Sequence, residues 1–319
     1  MPNTADWLKR LKEGFASRYP GKKHQIKLPS GISFVTQNDG VRVVLSREAV
    51  EDGNMQSDAA AFEAWALALH GYAGAKFVEL RWTGAPASRH AWRFRLRALQ
   101  FAHYFGAWFR LGGELAGAFE AGITYVLNVE SEPRTGAVKP FATSLKEREL
   151  EDVIVRDSAT SGRFKEAFGL QVLGQQLPVG VFNQTVSKAN GISPRGSAAI
   201  DIWGIQGETL HLFELKKFPG KSGKKPLGII SELFLYVSLM RAVQKKHLTF
   251  GPGPKDAPYL KIADTKRIEA WLLAPLHHPL IEYGDAPMLE LLNLGFKSAQ
   301  EPISFQRAHI GKDCTFSKA

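Results

Sequence analysis

The segment DIWGIQGETLHLFELKK, from Asp201 to Lys217, carries the residue types and the spacing that are best suited to chemistry. Two apolar runs flank the turn sequence QGE, and this pattern predicts a β-hairpin. Because side chains alternate between the faces of a strand, Glu214 and Lys216 share one face of the second strand. Pairing within the hairpin brings Asp201 close to Glu214. A carboxylate and an ammonium at the end of an apolar strand are costly to bury unless they are paired or bind a ligand.

Two neighbouring carboxylates repel each other, and a divalent cation removes this repulsion by taking both as oxygen ligands. Mg²⁺ prefers carboxylate and water ligands, and it neutralises charge on a phosphodiester during hydrolysis. Lys216 lies two residues after Glu214. Its predicted role is to orient the attacking water, to help deprotonate that water, or to stabilise the developing negative charge. These residues therefore predict a magnesium-dependent phosphodiesterase.

An aspartate on one strand, followed by Glu-x-Lys on the next, resembles the PD-(D/E)xK nuclease superfamily. KERELEDVIVRD resembles the first core helix of that family, SELFLYVSLM the second, and RIEAWLLAP the closing core strand. Nuclease domains of NucS-type endonucleases are the members that the chain resembles most, over residues 145–275. Two features depart from the family pattern. Ile200 stands where the motif has proline, and residues 183–197 resemble an insertion before the aspartate strand.

The resemblance implies roles for individual residues. The catalytic residues would be Asp201, Glu214 and Lys216. The metal ligands would be the carboxylates of Asp201 and Glu214 and the backbone carbonyl of Leu215. The implied metal is Mg²⁺, with Mn²⁺ as a substitute.

The resemblance also implies supporting residues on the two core helices. The glutamate of the first helix maps to Glu147, and Glu151 competes for that role because residues four apart share a helix face. Ser144 is the candidate N-cap of this helix, since Glu147 follows it at capping-box spacing. On the second helix the supporting residues would be Glu232 and Tyr236.

The composition of the whole chain narrows the class of protein. Among 319 residues there are 41 Lys plus Arg against 31 Asp plus Glu, and the net charge of +10 favours a polyanionic partner. The single cysteine, Cys314, excludes an internal disulfide and argues against a cysteine-based zinc site. No apolar run approaches the ~20 residues of a membrane span, and the N-terminus lacks the apolar block of a secretory signal. We expect a cytoplasmic protein without a membrane partner.

The order of elements predicts an α/β fold. In the C-terminal part, the order helix, strand, strand, strand, helix, strand predicts a central mixed sheet flanked by helices, and the resemblance implies a restriction-endonuclease-like core. The segment SEPRTGAVKPFATS, residues 131–144, has the composition of a connector. It predicts an N-terminal α/β domain over residues 1–140 and a nuclease domain over residues 145–319. The first domain would bind nucleic acid, bind a partner or sense a signal.

Two basic segments are candidates for contact with nucleic acid. The loop FPGKSGKKPLG offers Lys221, Lys224 and Lys225, although a solvated loop is the ordinary reading. A long helix is predicted over SRHAWRFRLRALQFAHYFGAWFRL, where Arg93 and Arg97 share one face among aromatic residues. The alternative for this helix is a core element with an arginine-lined solvent face.

Together these patterns predict a metal-dependent nuclease that acts on DNA as an endonuclease, in DNA repair or in restriction and antiviral defence. RNA stays open as a substrate. Two alternatives belong to other classes: a nucleic-acid-binding module without turnover, and a nuclease effector subunit that a partner or ligand activates. A homodimer or a larger complex is expected from the resemblance.

Overall fold

In the computed structural model, the described residues are 4–20, 26–52, 57–84, 91–128, 135–193, 199–218, 227–275 and 286–319. They form two compact units, and each unit combines helices with β-strands. The fold is therefore mixed α/β, as the alternation of elements in the sequence predicts. None of the helices in the described part of the chain is long and apolar enough to cross a membrane.

Both units are assembled from segments that are distant in sequence. The first comprises Met1–Glu120, Lys225–Leu235 and Ala286–Gln300, and the second comprises Ala121–Lys224, Tyr236–Asp285 and Glu301–Ala319. Helix α7 (Leu227–Gln244) begins in the first unit and ends in the second. The boundary predicted between residues 140 and 145 stays a prediction.

The first unit is built around a four-stranded sheet. In sheet order its strands are β1 (Ile32–Gln37), β2 (Gly40–Leu45), β3 (Val78–Trp82) and β4 (Phe109–Leu111). Strands β1 and β2 form an antiparallel hairpin, whereas β2, β3 and β4 run parallel. Besides the start of α7, its helices are α1 (Thr4–Arg18), α2 (Arg47–Val50), α3 (Phe62–Gly71), α4 (Trp92–Phe105) and α8 (Ala286–Ser298).

One face of this sheet lies in an apolar core. Phe34, Val43 and Leu80 are register neighbours on three adjacent strands, and none is more than 2% exposed. Phe62 of α3 and Phe101 of α4 contribute rings whose centroids are 6.1 Å apart in an edge-to-face arrangement. Burying a side chain of this size stabilises the fold by about 1.5–3 kcal/mol. The core therefore uses one face of the sheet and determines the register of its strands.

The second unit contains a six-stranded sheet and a three-stranded sheet. In order, the larger sheet consists of β13 (Phe316–Lys318), β12 (Ile303–Ile310), β11 (Arg267–Pro275), β9 (Thr209–Leu215), β8 (Ala199–Gln206) and β6 (Val172–Pro178). The smaller consists of β10 (Leu248–Phe250), β5 (Tyr125–Leu127) and β7 (Val181–Asn183). Besides the end of α7, its helical segments are α5 (Glu147–Arg156), α6 (Ser158–Phe168) and the 3₁₀ helix Pro258–Asp264.

The six-stranded sheet combines two strand directions. Strands β6, β8 and β9 are successively antiparallel, β9, β11 and β12 run parallel, and β13 is antiparallel to β12. Every residue of β9 is buried, in agreement with the apolar side chains on both of its faces. Leu150 of α5 and Phe164 of α6 share a core with Phe213 of β9. Strand β9 is therefore a central strand, and packing on both of its faces fixes the position of its C-terminal end.

The start of α5 differs from the sequence-based expectation. The helix begins at Glu147 and its N-cap is Lys146, not Ser144. The Glu149 carboxylate accepts a hydrogen bond from the backbone N–H of Lys146 at 2.8 Å. A glutamate three residues after the N-cap does cap the helix, but the register is two residues later than predicted, and this leaves Glu147 available for other contacts.

Strand β13, the three residues FSK, pairs with the outer edge of β12, so β12 is not an edge strand. One further sequence-based expectation is corrected. The predicted arginine-rich helix is shorter than its sequence suggests. It ends at Phe105, with Gly106 as its C-cap, and residues 109–111 continue as β4.

His211 lies in the interior of the six-stranded sheet and is 0% exposed. Trp271 Nε1 donates a hydrogen bond to its Nδ1 at 3.1 Å, and the Glu269 carboxylate lies 3.5 Å from the same nitrogen. Burial, and then the nearby positive charge of Lys318, lower the pKa of His211 to about 4. The ring is therefore neutral in the folded protein near neutral pH.

Acid is expected to destabilise the protein through His211 between pH ~6.5 and pH ~4. The pKa is lower in the folded state, so the stabilising contribution is complete above about 6.5 and is lost as the pH falls through about 4. The difference corresponds to about 3 kcal/mol. His211→Asn keeps an acceptor for Trp271 and removes the titration. Urea denaturation across this pH range should give a flatter stability curve for the variant, and equal slopes would contradict the prediction.

Candidate active site

Strands β8 and β9 bring Asp201 beside the end of β9. Their antiparallel register pairs Ile202 with Phe213, so the next position along brings Asp201 level with Glu214. Asp201 Oδ2 accepts a hydrogen bond from the backbone N–H of Leu215 at 3.0 Å. This bond fixes one carboxylate against the backbone next to the other carboxylate, which is the arrangement that the sequence predicts for the hairpin.

Lys216 directly follows β9, and its ammonium lies among oxygen atoms. Nζ is 2.7 Å from Glu214 Oε1, 2.9 Å from the carbonyl oxygen of Leu215 and 3.4 Å from Glu147 Oε1. Its backbone N–H donates to the carbonyl of Leu273 on β11 at 2.8 Å, which continues the strand alignment. The side chain of Glu214 is 3% exposed and that of Lys216 13% exposed. Glu214 and Lys216 are therefore largely shielded from water.

The electrostatics of this cluster are dominated by its carboxylates. Burial alone would lower the pKa of Lys216, but the charges of Glu214, Glu147 and Asp201 outweigh burial and raise the pKa above its usual range. Three carboxylates and one ammonium leave an excess of negative charge. An additional cation would reduce the repulsion between these carboxylates.

The oxygen donors of the cluster suit Mg²⁺ by their chemistry. Two of the three predicted ligand groups, Glu214 and the carbonyl of Leu215, already hold a cationic group, the ammonium of Lys216. Carboxylate and carbonyl oxygens are the ligands that this ion accepts. The described residues include no group of three or more His, Cys, Asp or Glu side chains placed to hold a metal ion. The predicted set has only two such side chains, and Mg²⁺ binding stays a prediction.

Helix α5 places its two candidate glutamates differently. Glu147, the first residue of the helix, contacts Lys216, and its side chain is 37% exposed. Glu151, one turn later, is 4% exposed and accepts a hydrogen bond from Gln176 Nε2 at 2.7 Å. The geometry therefore brings Glu147 to the lysine, in line with the role that the resemblance implies for it, and connects Glu151 to strand β6.

Gln176 is a residue of this region that sequence reasoning missed. Strands β6 and β8 pair Gln175 with Ile202 and Leu177 with Ile200. Gln176 lies between these two pairs, opposite Asp201, and is not itself paired in the ladder. Its φ is 51°, a left-handed conformation that is uncommon for a residue other than glycine. Conformations of this kind cluster at functional sites. The sequence GLQVLGQQLPV offers no pattern that distinguishes one of its two adjacent glutamines.

The other supporting residues and the loop residues predicted from the sequence lie on α7 or outside the described part of the chain. Tyr236 is 2% exposed and belongs to the second unit, whereas Glu232 belongs to the first. Their supporting roles stay predictions. The three loop lysines lie outside the described residues; they are Lys221, Lys224 and Lys225.

The two arginines predicted to contact nucleic acid are buried in the first unit. Arg93 is 9% exposed and Arg97 2% exposed. Arg97 donates to both carboxylate oxygens of Glu63, with Nε 2.5 Å from Oε1, and to the carbonyl of Ala60 at 2.7 Å. The hydroxyl of Ser231 donates to Glu63 at 2.7 Å. This environment indicates a structural role for Arg97, and its contact with nucleic acid stays a prediction.

The chain was compared with known protein families, proteins and structures. No protein-family model, no curated protein and no solved structure matches the chain. The resemblance to the PD-(D/E)xK superfamily therefore rests on the sequence motifs.

Proposed function

We propose that the second unit is a metal-dependent nuclease of the PD-(D/E)xK type that hydrolyses phosphodiester bonds in DNA. The observation that carries this proposal is the meeting of Asp201, Glu214, Lys216 and Glu147 at the end of the buried strand β9. The contact between Glu147 and Lys216 joins residues that are 69 positions apart in sequence, so it depends on how the helix packs against the sheet.

The topology of the second unit supports the same proposal. Helix α5 precedes the antiparallel strands β6, β8 and β9, and α7 lies in sequence between β9 and β11, which is parallel to β9. Apart from the additional elements α6, β7, β10 and the 3₁₀ helix, this is the order of helix, three strands, helix and strand that the resemblance implies. The restriction-endonuclease-like core is therefore part of the proposal.

In this proposal each residue of the cluster has a defined task. Asp201, Glu214 and the carbonyl of Leu215 hold Mg²⁺ or Mn²⁺, which when bound supplies positive charge to the phosphodiester. The N–H of Leu215 keeps Asp201 in place. Lys216, anchored at the strand end, stabilises the negative charge that develops on the phosphate oxygens. Glu147 orients the lysine.

Cleavage is expected in Mg²⁺ or Mn²⁺ and is expected to stop in EDTA. Without a metal ion the carboxylates repel the phosphodiester, so chelation removes the attraction and the catalysis together. The purified chain is incubated with supercoiled plasmid, linear duplex, single-stranded DNA and RNA in each condition. Mg²⁺ added in excess of EDTA should restore the products.

The same assay separates this proposal from its alternatives. Cleavage that resists EDTA would contradict the metal-dependent mechanism. Intact nucleic-acid binding without products from any of the four substrates would favour a binding module without turnover. Products that appear only when a cell extract is added would favour an effector subunit that needs a trigger.

The biological setting belongs to the proposal as well. A role in DNA repair or in restriction and antiviral defence suits the family, and a homodimer would allow one site to act on each strand of a duplex. Light scattering with and without a duplex oligonucleotide measures this oligomeric state directly.

A further inference from the structure

The four-stranded sheet of the first unit carries a cluster of arginines on the face opposite its apolar core. Arg42 on β2, Glu79 on β3 and Arg110 on β4 are directly aligned in the strand register. Arg81 lies two residues after Glu79 and therefore points to the same side. We propose that this arginine face, formed by Arg42, Arg81 and Arg110 around Glu79, binds the phosphate backbone of a nucleic acid.

The Glu79 carboxylate contacts all three guanidinium groups of this face. Its Oε1 accepts hydrogen bonds from Arg42 Nε at 2.6 Å and from Arg81 Nε at 2.9 Å, and its Oε2 lies 3.3 Å from Arg110 Nε. The Glu79 side chain is only 9% exposed and that of Arg42 25%, whereas those of Arg81 and Arg110 are 48% and 56% exposed. The carboxylate is thus covered, and Arg81 and Arg110 are the guanidinium groups that reach solvent most fully.

The charge of this face is not balanced. Three guanidinium groups surround one carboxylate, which leaves an excess of two positive charges. Burial raises the pKa of Glu79, but the hydrogen bonds from Arg42 and Arg81 lower it by more, so the carboxylate stays ionised. A guanidinium has five N–H donors, and each contact with Glu79 is made through Nε. The terminal nitrogens of Arg42 lie against the side-chain amide of Gln37, whereas those of Arg81 and Arg110 are the donors that suit the two oxygens of a phosphate.

Two neighbouring residues, Gly112 and Phe77, restrict the positions of the arginine side chains. A Cβ at Gly112 would lie 2.6 Å from Arg81 Nε and 2.9 Å from Glu79 Oε1, so a larger residue there would displace both groups. The guanidinium of Arg110 lies 4.3 Å from the centre of the Phe77 ring, a cation–π contact that restricts its orientation. The arginines are therefore held in place before a ligand arrives, which reduces the entropy cost of binding.

The open shape of the face favours an extended ligand over a small anion. The aligned row crosses all four strands, since Val35 of β1 is the register neighbour of Arg42, and Val35 is 42% exposed. Glu79 occupies the centre, so an approaching anion meets arginines on either side of a carboxylate and not a closed pocket. A chain of phosphates can pass over such a row and contact the arginines in turn.

This inference relies on the proposed function only for the choice of ligand. Binding is measured in EDTA, where the proposed nuclease is inactive, so the result does not depend on cleavage. A failure of the arginine face would leave the assay of the catalytic cluster unaffected, and the reverse also holds.

Fluorescence anisotropy with labelled single-stranded and duplex oligonucleotides tests the arginine face in the full chain. The double variant Arg81→Gln/Arg110→Gln is expected to bind about tenfold more weakly, with a salt dependence reduced by about 1.4–1.8 in the log–log slope. Lys12→Gln/Arg18→Gln is the matched control, because it removes the same charge from exposed positions of α1. The control should stay within about twofold of the wild type.

Gly112→Ala provides a second variant that leaves the net charge unchanged. It is expected to weaken binding because it displaces Arg81, while circular dichroism confirms the fold. Unchanged affinity and slope in the double variant would overturn the proposal, as would an equal loss in the control. Equal binding of poly-glutamate, with the same dependence on Arg81 and Arg110, would also overturn it and would favour an acidic protein as the partner.

Discussion

With Mg²⁺ present, Lys216→Ala is expected to slow phosphodiester cleavage by about a hundredfold to a thousandfold, while the affinity for nucleic acid changes by less than about fivefold. The ammonium lies at the end of β9, within 2.7 Å of Glu214 and 2.9 Å of the Leu215 carbonyl. Its proposed task is to stabilise charge that appears only in the transition state, so its removal affects the rate more than binding. Single-turnover cleavage and anisotropy measure the two quantities separately.

The same variant has a readout that does not depend on activity. Without Lys216, the carboxylates of Glu214, Glu147 and Asp201 face one another without their shared cation. We expect the variant to melt at a lower temperature than the wild type in EDTA and to recover part of this difference in Mg²⁺. Asp201→Asn removes a proposed ligand and should instead require at least about tenfold more Mg²⁺ for a thermal shift.

The control is a lysine beside the opposite end of β9, directly before the neighbouring strand β11. Lys266 pairs with Glu208 at 2.5 Å, beside the turn between β8 and β9, and both side chains are mostly exposed. Lys266→Ala should leave cleavage within about twofold of the wild type, since exposed pairs contribute little. Wild-type cleavage rates in both Lys216→Ala and Asp201→Asn would show that the chemistry occurs elsewhere in the molecule.

Much of the candidate site was predictable because its parts follow from strand geometry. Alternation of side chains and hairpin pairing are sufficient to place Asp201 near Glu214, with Lys216 next to it. The contact with Glu147 followed only from the resemblance, since no local rule connects a helix to a strand end 69 residues away. Gln176 could not be predicted, because its left-handed conformation depends on the packing of β6 against β8 and α5.

The fold shows the same division between local and long-range information. The β1–β2 hairpin and the buried β9 follow from residues that are adjacent in sequence. The set of segments that forms the first unit does not follow from neighbouring residues, because residues 225–235 and 286–300 belong to it although they come much later in the chain. A connector between two continuous domains is the simplest reading of a sequence, and no periodic pattern signals such an exchange of segments.

The arginines illustrate why side-chain type alone is a weak guide to function. Arg97 stands out in sequence because aromatic residues surround it, yet its guanidinium lies under the surface, 5.0 Å from the centre of the Phe62 ring. Arg42, Arg81 and Arg110 are spread over three strands and show no cluster in sequence. Only the parallel register of β2, β3 and β4 brings them together around Glu79.

Glu63→Gln is expected to lower the free energy of unfolding by about 3–5 kcal/mol, because it leaves the buried Arg97 without its counter-charge. Glu63 is 0% exposed and holds two donors, Arg97 and Ser231. Arg97→Met should also destabilise the protein, since it leaves a buried carboxylate. The double variant is expected to lose clearly less than the sum of the two, because no isolated charge then remains in the core.

An exposed pair in the same unit gives the matched comparison. Arg47 and Glu51 lie four residues apart with Nε and Oε2 at 3.4 Å, and the arginine side chain is 69% exposed. Arg47→Met should change the free energy of unfolding by no more than about 0.5 kcal/mol in the same urea titrations. If Arg97→Met behaved like Arg47→Met in stability but weakened oligonucleotide binding, Arg97 would be accessible after all. Its buried partners would then describe a resting arrangement that nucleic acid opens.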